Sequence, residues 1–176
     1  MRRAPRAVVA LVLLVLGIGC GGATSGPRPV VGEIPAAIAA MNAAFGGAAD
    51  LEYFEISADL TGVSLVLAEY ETSGDTGDVE ATYATSFRWQ DDSLDQVGES
   101  AQAEGATFLG SQVAIDPQVI FRGIEDELDS PSIVDLAAQG SGTGDVVIDV
   151  TVENAKGGRL LVLVDTSGRV LGVQAD

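Results

Sequence analysis

From Val79 to Trp89 the chain places Val79, Ala81, Tyr83, Thr85, Phe87 and Trp89 on one side and Glu80, Thr82, Ser86 and Arg88 on the other. A period of two sustained over this length is the mark of a half-buried β-strand, since winding it into a helix would spread its apolar side chains around the whole circumference. Two more strand patterns precede it, Leu51 to Ala58 and Val63 to Glu71. Between the second and third, Thr72-Ser73-Gly74-Asp75-Thr76-Gly77-Asp78 supplies the residues of a hairpin loop. Ahead of all three, Ile34, Ile38, Met41 and Phe45 recur at helical spacing, with Pro35 suited to a first turn and Gly46-Gly47 to a stop.

After an acidic connector the same order returns. Asp116-Pro117 reads as an N-cap followed by a proline in the first turn, and Ile120, Ile124 and Leu128 share one face up to Ser130-Pro131. An apolar stretch Ile133 to Ala138 follows, then the glycine-rich Gly140 to Gly144. Next, Val146, Ile148, Val150 and Val152 face one way between Asp145 and Asn154. The turn Asn154 to Gly158 leads to Arg159 to Asp165, and Thr166-Ser167-Gly168 to Val170 to Gln174. Pro35 and Pro117 stand 82 residues apart. The domain therefore reads either as two α-β-β-β repeats, residues 34–90 and 115–176, or as an unrepeated α+β unit. Both readings give an antiparallel sheet with helices on one face and the other face open.

The N-terminus carries a different kind of information. Arg2, Arg3 and Arg6 precede an unbroken apolar run from Ala7 to Gly19, which is the layout of a signal peptide. As a helix that run rises only about 20 Å, short of a membrane span. It ends at the chain's one cysteine, and Leu16-Gly17-Ile18-Gly19-Cys20 resembles the lipobox of bacterial lipoproteins. The resemblance implies cleavage before Cys20, its lipidation, and residence outside the cytoplasm on the bacterial membrane. Several acyl chains on one cysteine anchor a protein firmly, because each buried methylene contributes about 0.8 kcal/mol. The expected organisation is a signal peptide over 1–19, a lipidated cysteine and flexible tether over 20–33, and a single α+β domain over 34–176.

Composition removes several functions. A single cysteine and no histidine exclude an internal disulfide, a CxxC redox pair, a cysteine-rich zinc site and a Ser-His-Asp triad. Beyond residue 19, six basic residues face 26 acidic ones, a net charge of −20 that repels nucleic acid. With 47% hydrophobic residues the chain still has the material for a core.

Two groups of side chains are candidates for a site. Glu71, Asp75, Asp78 and Glu80 flank a glycine-containing loop whose carbonyls could join them around calcium, although the EF-hand spacing is absent. The other reading of these acids is a solvated surface. Tyr83, Phe87 and Trp89 share one strand face and form either an interaction face or part of the core under the first helix. Lys156 lies in a turn, and the glycines of 140–144 lack the ending of a phosphate loop.

The helix-plus-meander layout resembles the doubled modules of the β-lactamase inhibitory protein type and PepSY-like exported modules. The segment from Arg159 to Gln174 is similar to the closing hairpin of the latter. Such a likeness implies a binding or inhibitory role. The expectation is thus a membrane-tethered, extracytoplasmic, non-enzymatic binding module without a cofactor, whose partner is an envelope protein or a small apolar ligand. The alternatives are a carboxylate-dependent envelope enzyme and a calcium-binding envelope protein.

Overall fold

Pro35 stands in the first turn of helix α1 (Ile34–Ala44), where its missing N–H removes no helical hydrogen bond. The computed structural model describes residues 27–47, 50–128, 131–154 and 156–175, so Cys20 and the signal-peptide segment lie outside the described residues. A single 3₁₀ turn, Val31–Glu33, leads into α1. The helix buries Ile34, Ala37 and Met41, a stripe one place round from the expected one. Ile38 packs at the rim of the core, and Phe45, just past the helix, is 39% exposed. The small Ala37 is completely buried, which lets the helix lie close to the sheet.

The strands that follow are β1 (Glu52–Asp59), β2 (Val63–Thr72), β3 (Val79–Gln90), β4 (Ser93–Gln96) and the two-residue β5 (Ala101–Gln102) and β6 (Phe108–Leu109). After helix α2 (Pro117–Glu127) come β7 (Ser132–Gly140), β8 (Val146–Glu153), β9 (Arg159–Val164) and β10 (Val170–Ala175). All join one sheet in the order β10-β9-β8-β7-β1-β2-β3-β4, with β5 on β3 and β6 on β1. Every pairing is antiparallel. The fold is α+β with the sheet predominant, and each half is a helix followed by a meander of four strands. Those meanders meet at β1 and β7.

This differs from a three-stranded unit, and the missed strand is β4 in the segment that reads as a connector. Asp91 and Asp92, with φ of 52° and 60°, make its hairpin turn, the backbone conformation that short polar residues tolerate. The strand itself holds one apolar residue, Leu94, which faces Trp89.

The core is built from matching positions of both halves. Ile56, Leu65 and Phe87 form a register row in the first half, and Leu136, Val150 and Val162 do so in the second. A register irregularity falls between Tyr53 and Glu55 and again between Ile133 and Asp135. Each inserted residue restores alternation, so Tyr53 with Ile56, and Ile133 with Leu136, are buried on the same side although three residues apart. Ile120, Phe121 and Ile124 of α2 join the same core as α1. Asp116 caps α2 by accepting the Gln118 N–H at 2.9 Å. Gly123 of α2 lies against the turn between β9 and β10, where an added Cβ would stand 2.0 Å from the Gly168 carbonyl oxygen. Among the described residues, no helix is long and apolar enough to cross a membrane.

Candidate functional site

Residues of opposite parity to the core project from the sheet face away from the helix-packed core. At the centre of that face one row crosses the molecule by register: Asp95, Arg88, Ser64 and Ser57 in the first half, then Ala137, Asp149, Leu163 and Gly172 in the second. The adjacent pairs are Asp59 with Asp135 and Glu55 with Gln139. Four carboxylates (Glu55, Asp59, Asp135 and Asp149), one arginine and several small side chains therefore surround the junction of the halves, with Asp95 at the far edge of the row.

The four acids have different surroundings. Asp59 ends β1 in a tight turn and accepts hydrogen bonds from Thr61 N, Thr61 Oγ1 and Gly62 N at 2.7, 2.8 and 3.0 Å. Arg88 Nη2 donates to both Asp59 oxygens at 2.7 and 2.8 Å, while Nη1 donates to Ser64 Oγ at 2.9 Å. Gly62 permits this approach, since a Cβ there would stand 2.5 Å from the Trp89 carbonyl oxygen. Partial burial pushes the Asp59 carboxyl upward, but these donors outweigh it and hold the group well below the usual carboxylate range.

Across the central strand pair the balance reverses. Burial, followed by the charges of Glu55 and Asp59, raises the Asp135 carboxyl; a backbone hydrogen bond from Leu136 and the charge of Arg88 offset this only in part. Burial and Glu55 likewise raise Asp149. Both are half-buried acids for which a further positive charge would be favourable. Gln139 Nε2 donates to Glu55 at 3.3 Å.

The aromatic candidates lie elsewhere. Phe87 and Trp89 are half-buried on the core side, and Phe87 meets Phe45 edge-on with ring centroids 5.7 Å apart. Tyr83 donates to Glu71 at 3.1 Å, which raises its phenol pKa. The fully buried Thr85 stands between Tyr83 and Phe87 in the alternation, so the three do not make one open aromatic patch. Glu71, Asp75, Asp78 and Glu80 are all exposed. Among the described residues, no three acidic side chains are placed to share a metal ion. Lys156 is exposed in its turn, with its N–H donating to Asn154 Oδ1 at 2.8 Å.

A separate groove of about 360 Å³ runs between α1 and the turn after β6, lined by Ile38, Asn42, Asp50, Gly110 and Ser111 among others. Behind Gly110 lies the ring of Tyr53, whose buried hydroxyl has no hydrogen-bond partner. Burial and the Asp50 charge push that phenol up to about 12, so it stays protonated.

The central group of Glu55, Asp59, Arg88, Asp135 and Asp149 is not evident from sequence spacing, because β1 and β7 bring together acids that lie far apart in the chain. The available signal is parity: each occupies an outward position of a strand. Comparison with protein-family models, with curated proteins and with solved structures finds no match for this chain.

Proposed function

We propose that this chain is an extracytoplasmic lipoprotein, anchored through Cys20, and that it acts as a non-enzymatic binding module which presents the open sheet face to a partner protein. The observation that supports this use most directly is the charge arrangement at the junction of the halves. Arg88 is engaged by Asp59, while the half-buried Asp135 and Asp149 lie beside Glu55. A lysine or arginine from a partner would relieve that imbalance in a partly desolvated setting. Ser57, Ser64 and Ala84 on this face are small and partly exposed, so another protein's surface can approach the sheet closely there. The recurring irregularity at Glu55 and Asp135 supports the further reading that the halves descend from a duplicated unit.

A photo-crosslinking amino acid at Ala137, compared with one at the exposed Asp126 of α2, tests the contact surface in cells. The proposal expects a protein adduct at Ala137 and none at Asp126; the reverse distribution contradicts it. A Cys20→Ser variant that still yields the same cleaved, membrane-associated species contradicts the anchor.

The carboxylate-dependent enzyme has one observation of its own, the raised Asp135 carboxyl beside Glu55 and Asp59. Asp135→Asn separates the two readings. A binding face keeps its crosslink with a weaker yield, whereas an enzyme loses turnover while still holding its substrate.

A further inference from the structure

We propose that the second half of the open face seats an arginine side chain of the partner, its stem lying on Leu163 and its guanidinium beside Asp149. This rests on the open-face reading above and names the chemistry which that face selects. By register Asp149 lies between Ala137 on β7 and Leu163 on β9, with Val147 and Leu161 in the two neighbouring rows. Val147, Leu161 and Leu163 are all partly exposed, on the side of the sheet away from the helices. Among the described residues no ion pair reaches Asp149, although it is partly buried and lies within the influence of Glu55. A carboxylate ringed by apolar carbon suits a side chain that is itself half apolar, because a methylene stem can cover the leucines while the charged head stays at the acid. A small cation would leave the leucines wet, and an apolar side chain would leave the acid unpaired.

The first half shows the same arrangement filled from within. Counting outward from Ser57 and Ala137, Arg88 stands at the place that Leu163 holds in the second half, and Ser64 at the place of Asp149. The Arg88 guanidinium lies across the face, donating to Ser64 on the next strand and to Asp59 on the strand beyond. The second half has leucine for the arginine and a carboxylate for the serine, so the cation comes from outside. Gly172 of β10 leaves the approach open. It pairs with Leu163, is exposed, and an added Cβ there would meet nothing within 4 Å. With the partner backbone over this bare edge, one strand spacing of about 4.8 Å leads to Leu163 and another to Asp149. Arginine fits better than lysine, since its planar, weakly hydrated guanidinium can lie along apolar surface while pairing with a carboxylate.

The test titrates the full chain by nuclear magnetic resonance, at fixed ionic strength, with a blocked pentapeptide carrying one arginine among alanines and valines. Two control peptides replace that arginine, one with neutral citrulline and one with a guanidinium on a one-carbon stem. The expected result is saturable shifts centred on 147–151 and 161–163, binding about tenfold weaker for the short stem, and none for citrulline. Gly172→Gln, whose side chain enters open space, should keep the melting temperature and weaken binding by about tenfold or more, as should Asp149→Asn. Asp75→Asn removes the same charge from an exposed loop and should leave binding unchanged. Equal binding of the short-stem peptide, or an equal loss with Asp75→Asn, overturns the proposal by reducing it to general attraction toward an acidic protein. Absence of binding, or binding unmoved by Gly172→Gln, also overturns it. In cells, an adduct at Ala137 that survives Gly172→Gln contradicts this inference and spares the open-face reading, whereas no adduct at Ala137 contradicts both.

Discussion

The first half, from α1 to β4, and the second, from α2 to β10, share a topology and a pattern of core positions but differ on the open face. Ser57 and Ala137 occupy matching places at the centre of the sheet, Ser64 matches Asp149, and Arg88 matches Leu163. The first half thus supplies the arginine that neutralises Asp59. The second has leucine there and adds another acid, so Asp135 and Asp149 carry the cost of ionisation. The comparison teaches that the covered face is held to its pattern by packing, whereas the open face is free to differ, and that the difference is concentrated where the halves join.

The strongest way to break the comparison is through the core. Ile56 and Leu136 are fully buried at matching positions, and truncation of either to alanine should cost about 2–5 kcal/mol. If the halves form one cooperative unit, both variants will show a single unfolding transition in urea with similar loss. Two transitions, or a loss confined to one half, would show that the meanders are independently stable.

Gly123→Ala probes an asymmetry of packing. The added methyl group would meet the Gly168 backbone, so it should cost about 1–3 kcal/mol and shift α2 away from the β9–β10 turn. Faster amide exchange in α2 and β10, with α1 unchanged, is the expected signature.

A smaller effect is expected at Asp135. Its carboxyl titrates above the ordinary 3.8, so the ionised group destabilises the folded state at neutral pH. Asp135→Asn should therefore raise the melting temperature at pH 7. As pH falls through the raised value the wild type regains the difference, and well below 3.8, where folded and unfolded forms are both protonated, the gain should disappear. An equal effect at pH 3 and pH 7 would assign it to packing rather than charge.

Much of this fold is legible in the sequence because the long strands alternate and both helices carry a proline in the first turn. Val79 to Trp89 and Val146 to Val152 show the period directly, and Asp116-Pro117 marks the start of α2. β4 is obscured because an acidic edge strand has little apolar surface to alternate. The stripe on α1 is displaced because Ala37, small enough for close packing, gives a weaker apolar signal than Ile38 or Phe45. The central acids were not legible as a group, since Asp59 and Asp135 become neighbours only through a long-range register. Tyr83, Phe87 and Trp89 share a strand face in the sequence, yet two of the three, Phe87 and Trp89, pack at the core rim. Strand parity groups residues on one face without saying which face of the sheet will be covered.

The most direct test of this account is a residue-resolved carboxyl titration by nuclear magnetic resonance. In the wild type, Asp59 should titrate well below the ordinary aspartate range and Asp135 above it, although the two face each other across β1 and β7. Replacing Arg88 with the leucine found at the matching position, Arg88→Leu, should raise the Asp59 midpoint toward that of Asp135. It should also cost about 1 kcal/mol, because the ion pair is partly exposed. Coincident wild-type titrations near 3.8, or an Asp59 midpoint unmoved by Arg88→Leu, would contradict the claim that one arginine divides the open face into unlike halves.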